Sequence, residues 1–132
     1  MKQRTRVSDA ELDILRAIWR NGEPMKASEI VKALSDSRTW KTQTCHVLLG
    51  RLVQKGYLSV DKTNYSHKFS PVYGEEEYFA KQSMTLANRV GTSLPSMIAS
   101  LIDSNDVTEK ELAEIAAMLR AKRRELAEKN KR

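Results

Sequence analysis

Cysteine is nearly absent: Cys45 is the only one in 132 residues. One thiol cannot close an internal disulfide or build a multi-thiolate metal site. Histidine is almost as scarce, with only His46 and His67. Together with Cys45 they would need carboxylates to complete a metal shell, and no local spacing supplies them. No metal and no other cofactor is expected. The five glycines are scattered, without a phosphate-cradling loop, and no nucleophile motif appears. No catalytic residue is assigned, and an enzyme is not expected. No window approaches the ~18 consecutive apolar residues that a membrane span needs. The basic start, Met1-Lys2-Gln3-Arg4-Thr5-Arg6, runs into Ser8-Asp9-Ala10-Glu11 instead of an apolar segment, so no secretory signal is read. These absences point to the cytoplasm.

What is present is positive charge, unevenly spread. The net charge is +6. Residues 1–73 hold 13 Lys/Arg against 7 Asp/Glu, whereas residues 74–132 hold 10 of each. Basic charge confined to one segment suits contact with a polyanion, although a solvated surface gives the same statistic.

The local signals place helices first. Ser8-Asp9-Ala10-Glu11 has the form of a capping box, and Leu12, Leu15, Ile18 and Trp19 follow at helical spacing. Gly22 and Pro24 end this helix, placed at roughly 8–21. A short second helix covers Ala27 to Ser35, broken by Ser35-Asp36-Ser37, whose side chains compete for backbone bonds. A third runs from about Lys41 to Gln54. Cys45, Leu48, Leu49 and Leu52 form its apolar stripe, and Gly56 follows as a left-handed terminator. The period then changes. Leu58-Ser59-Val60 alternates, Thr63-Asn64-Tyr65-Ser66 turns, and His67-Lys68-Phe69 returns before Pro71, which reads as a hairpin with no glycine in its turn.

Beyond Gly74 the chain becomes helical throughout. Glu75-Glu76-Glu77 complements the positive end of a helix dipole. Ser93, with Pro95 in the first turn, opens a further helix, and Thr108-Glu109-Lys110-Glu111 forms a second capping box. Three helices carrying Leu94, Met97, Ile98, Leu101, Ile102, Leu112, Ile115 and Leu119 are too few to enclose those side chains alone. Exposed apolar faces of that size mark an interface, and a two-fold homodimer is the default occupant. The alternative is that they fold back on the first domain as a monomer.

The order helix, helix, polar turn, helix, hairpin is the winged helix-turn-helix arrangement. The fold class expected is mainly α, of the α+β kind. Residues 1–73 form a winged-helix DNA-binding domain, and 74–132 a helical dimerisation domain. In this arrangement the third helix enters the major groove by its N-terminal end. With its apolar stripe turned inward, Thr42, Gln43, His46, Val47 and Gly50 face outward. Gln43 matches an adenine edge and Val47 a thymine methyl. Lys41 and Thr44 suit phosphate. Arg51, near the end of the helix, either holds a phosphate or pairs internally. On the wing, Lys62, Tyr65, His67 and Lys68 suit the DNA backbone or minor groove. Arg4 and Arg6 form either a phosphate-seeking arm or a frayed terminus. Two such domains on a two-fold axis would read a palindromic operator in double-stranded DNA.

Several segments also resemble the BlaI/MecI-type penicillinase repressors. Val7-Ser8-Asp9-Ala10-Glu11-Leu12 with Ile18-Trp19 is similar to that family's opening. Thr39-Trp40, Thr44, Leu48-Leu49, Arg51-Leu52, Lys55-Gly56 and Leu58 resemble its recognition-helix region, and Phe69-Ser70-Pro71 the end of its wing. The resemblance implies a repressor of β-lactam-resistance or related genes, with a helical dimerisation domain and a membrane sensor protease as a possible partner. Where the prototypes are cut at an Asn-Phe bond, the corresponding pair is Ser100-Leu101. Asn64-Tyr65 stands where the family wing usually carries Gly-Arg, and Gln43 where Lys or Thr is common. The four C-terminal cysteines of the copper-responsive branch have no counterpart. The competing reading is a helical interaction module whose winged helix binds protein and not DNA. A small-molecule sensor ranks last, since no convergent polar cluster interrupts the apolar faces.

Overall fold

The computed structural model describes residues 6–131. Arg4 lies outside the described residues. The chain divides into two compact units, 1–82 and 83–132, the division falling inside a helix.

The first unit begins with α1 (Asp9–Asn21). Ser8 caps it as the local spacing requires: its Oγ accepts from the Glu11 amide at 3.1 Å, and Glu11 Oε1 accepts from the Ser8 amide at 2.9 Å. Helix α2 (Ala27–Ala33) is shorter than its apolar stripe suggests. Leu34 already leaves the helix, and the amides of Ser37 and Arg38 turn back onto its carbonyl. The return to α3 (Thr42–Lys55) is tied to α1 by Arg38 Nε, 2.6 Å from Asp13 Oδ2. Gly56 ends α3 at φ 90°, a conformation that a side chain would strain.

Strands β1 (Leu58–Asp61) and β2 (Lys68–Pro71) form the antiparallel wing, with Val60 opposite Phe69 and Asp61 opposite Lys68. A third piece of backbone joins this sheet. Met25 and Phe69 exchange both amide bonds, at 3.0 and 2.8 Å, pinning the entry to α2 against β2. The core gathers Ile14, Leu15 and Ile18 of α1, Ile30 of α2, Leu49 and Leu52 of α3, and Leu58 and Phe69 of the wing. Burying each Leu or Ile contributes about 1.5–3 kcal/mol. Trp19 sits at the edge of this core and not in it. Its indole N–H needs an acceptor, and it reaches the Tyr73 carbonyl at 2.9 Å. Tyr78, in the first turns of α4 (Glu75–Val90), stacks near Trp19 and Tyr57, with ring centroids 5.5 and 5.7 Å away.

The second unit contains the end of α4, then α5 (Leu94–Ser104) and α6 (Glu109–Asn130). Ser93 and Thr108 cap α5 and α6 through their side-chain oxygens, and Thr108 and Glu111 complete a capping box. Ala87 is the one buried residue of α4, and neither α5 nor α6 buries any. Among the described residues no helix is long and apolar enough to cross a membrane.

Candidate nucleic-acid interface

Helix α3 sorts its side chains by its own period. Cys45, Leu49 and Leu52 are buried, while Thr42, Gln43, Thr44, His46, Val47, Gly50 and Arg51 are exposed. Leu48, expected inside, is half-buried at the margin. Lys41 occupies the N-cap position in extended backbone, and its side chain makes no cap bond, so it is left to solvent. The unpaired amides of the first helical turn face the same way, and such a helix start attracts phosphate. Arg51 makes no ion pair among the described residues. The outward face of α3 is thus a surface of polar side chains around the exposed Val47, with no carboxylate between Lys41 and Lys55.

The wing solves its missing glycine in an unusual way. Asp61 Oδ1 accepts from the Thr63 amide at 3.0 Å and from the Thr63 hydroxyl at 2.7 Å, starting the turn. These two bonds, the amide first, hold the Asp61 carboxyl below its ordinary range. A 3-10 turn over Thr63–Tyr65 follows, and Tyr65 adopts φ 59°. It is the only non-glycine residue in the left-handed region among the described residues. Such backbone costs on the order of 1–3 kcal/mol in a residue with a Cβ. The Tyr65 side chain is fully exposed, and Lys62, His67 and Lys68 are exposed beside it on the wing.

Two groups that the sequence does not single out join this surface. Lys26 and Ser28, at the start of α2, line a cleft with Thr42 and His46 of α3 and Tyr65 and His67 of the wing. The Met25–Phe69 bridge is what brings them there. Such a long-range pairing leaves no signal in local spacing.

Residues 7–121 match the penicillinase repressor family. The chain belongs to that family. It is a DNA-binding transcriptional repressor, a role that is not enzymatic. The penicillinase repressor of Bacillus licheniformis is 29% identical over 120 residues, covering 90% of this chain and 93% of that one. The transcriptional regulator BlaI of Mycobacterium tuberculosis is 25% identical over 124 residues, covering 89% and 90%. Among solved structures, the DNA binding domain of the repressor BlaI is 33% identical, with a TM-score of 0.50, covering 59% of this chain and 94% of that domain. The winged-helix domain of this repressor thus has a solved relative.

The residues expected to mediate dimerisation lie on α5 and α6. Leu94, Ile98, Leu101, Leu112 and Leu119 are 37–58% exposed, and Met97, Ile102 and Ile115 are half-buried. Met118, at 67%, and Leu126, at 49%, are exposed on α6 as well.

Proposed function

We propose that this repressor works as a homodimer on a palindromic operator, in the control of β-lactam-resistance or related genes. Each protomer lays the start of α3 in a major groove. Gln43 and Val47 meet base edges with Thr42 and His46 beside them on the outward face, Lys41, Thr44 and Arg51 meet phosphates, and Lys62, Tyr65 and Lys68 of the wing reach the backbone or minor groove. The observation that carries the reading is the exposed polar face of α3, backed by a buried apolar one.

Dimerisation is supported by what α5 and α6 fail to do. A 22-residue helix with no fully buried residue gains little from packing. A second copy would cover Leu101, Leu112 and Leu119 and supply the missing burial. This division of labour assigns residues 1–73 to DNA and 74–132 to assembly. The protein is placed in the cytoplasm, where the operator is. A sensor protease is the further partner that the family resemblance implies. The pair it would cut, Ser100-Leu101, lies within α5, so the helix would have to open first.

The test is selection of binding sites from a random duplex library, followed by a gel shift. Recovered sites with two-fold symmetry, and a salt slope reflecting several released counterions, are the expected result. Equal affinity for every duplex removes the specificity, and asymmetric half-sites remove the dimer.

A further inference from the structure

We propose that the cleft between α3 and the wing binds one phosphodiester of the DNA backbone, and that its two histidines make this binding take up protons. The inference rests on the DNA-binding reading above and adds a ligand site and a pH dependence to it.

The cleft has a volume of about 330 Å³, enough for one phosphate group with its water. Three separate elements build it. Lys26 and Ser28 come from the start of α2, Thr42 and His46 from α3, and Tyr65 and His67 from the wing. His46 and His67 are the only histidines in the chain, and the fold brings both to this one place.

No carboxylate lines the cleft. Two other concavities each contain one: Asp13 lies between α1 and α2, and Asp61 in the neighbouring wing cleft that shares Lys26 and also holds Lys68. Glu29, the first acid of α2, is engaged with backbone, its Oε1 accepting from the Lys26 amide at 2.8 Å. The charged and titratable groups facing the site are therefore Lys26, the two imidazoles and the Tyr65 hydroxyl. Each can donate a hydrogen bond, as can the Ser28 and Thr42 hydroxyls.

The site is also held in shape. The Met25–Phe69 bridge fixes the α2 entry against β2. The left-handed Tyr65 holds the wing tip in a backbone conformation that side chains seldom adopt.

A phosphodiester keeps its single negative charge at any pH near neutrality. An imidazolium donates to it from both nitrogens, a neutral ring from only one. A phosphate beside the ring therefore favours the charged form, so each histidine binds its proton more tightly in the complex than in the free protein. By linkage, affinity rises as pH falls through the histidine range and is lost as pH rises again. One proton taken up corresponds to about tenfold per pH unit, and two histidines set the ceiling at two protons.

The experiment uses the full-length repressor and a fluorescein-labelled 30-base-pair duplex of mixed sequence, since a backbone contact does not depend on sequence. Anisotropy titrations run at pH 6, 7 and 8 at one low ionic strength. The expected result is a several-fold gain in affinity for each unit of acidification. His46→Gln and His67→Gln each flatten that dependence, and the double variant abolishes it. Both side chains are exposed, so circular dichroism and melting midpoints of the variants stay near those of the parent. Lys26→Ala should lower the salt slope by about one counterion. A pH dependence that survives the double variant, or a parent protein whose affinity ignores pH, overturns the proposal and leaves the DNA reading standing. Absence of duplex binding by the parent at every pH overturns both.

Discussion

Lys55 Nζ lies 2.7 Å from Glu11 Oε1, joining the last turn of α3 to the first turn of α1. The Glu11 side chain is only 2% exposed and that of Lys55 22%. The same ammonium donates to the Arg6 carbonyl at 2.7 Å, so it also holds the segment ahead of α1. A buried carboxylate without this cation would keep only its hydrogen bonds from Ser8 as partners. Lys55→Met is therefore expected to cost about 2 to 3 kcal/mol. Urea unfolding checks it; an unchanged midpoint would mean that the pair adds nothing.

The same pair sets an acid limit. Burial alone would raise the Glu11 carboxyl, but the hydrogen bonds from Lys55 and Ser8 outweigh it, and the net effect lies below the ordinary glutamate range. As pH falls, the unfolded chain takes up its proton first. The contribution is complete above about pH 4.3, the ordinary glutamate value, and drains away as pH drops through the lower folded-state value. Melting midpoints of the parent should fall steeply below about pH 4. Glu11→Gln should start lower at neutral pH and fall less. Parallel curves would locate the acid sensitivity elsewhere.

Cys45 is fully buried on the inner face of α3, and burial pushes its thiol up to about 11. The thiolate is the reactive form, so the native protein should not react with Ellman's reagent at about pH 8. One equivalent should react in denaturant. Fast labelling of the folded protein would show that α3 opens readily.

On the outward face of α3, Gln43 and Lys41 should separate by kind of effect. Gln43→Ala is expected to relax base preference at one position, at a cost of about 1–3 kcal/mol on the preferred site alone. Lys41→Ala should weaken all duplexes alike and reduce the salt slope by about one. Competition binding on a set of single-base variants of the selected site distinguishes them. Identical profiles for the two variants would remove Gln43 from base reading.

Leu101, 58% exposed on α5, and Leu119, 55% exposed on α6, report on assembly. Leu101→Lys places a charge in the proposed interface while leaving the protomer free to fold. Sedimentation should show monomers at micromolar concentration, and affinity for a palindrome should fall at least ~100-fold as the linked second half-site is lost. A dimer of unchanged strength would move the interface to another face.

Local chemistry alone determined the capped helix ends and most of the sorting of α3. Ser8, Ser93 and Thr108 each bond an amide three residues on, and Gly56 takes the turn that a Cβ resists. Interactions that short are readable from spacing. The outward set from Thr42 to Arg51 follows likewise from a 3.6-residue period. What tertiary structure decided are the meetings between distant residues. Glu11 has the form of a simple cap, yet it is a buried ion-pair partner, because the Lys55 that meets it is 44 residues away. Trp19 follows the apolar stripe of α1 but stays at the edge of the core, drawn to the Tyr73 carbonyl. Lys26 and His67 share a cleft only because Met25 pairs with Phe69. Periodicity reports which way a side chain faces along its own element. Which partner waits there depends on how the chain returns, and that is settled by packing and backbone pairing across the whole domain.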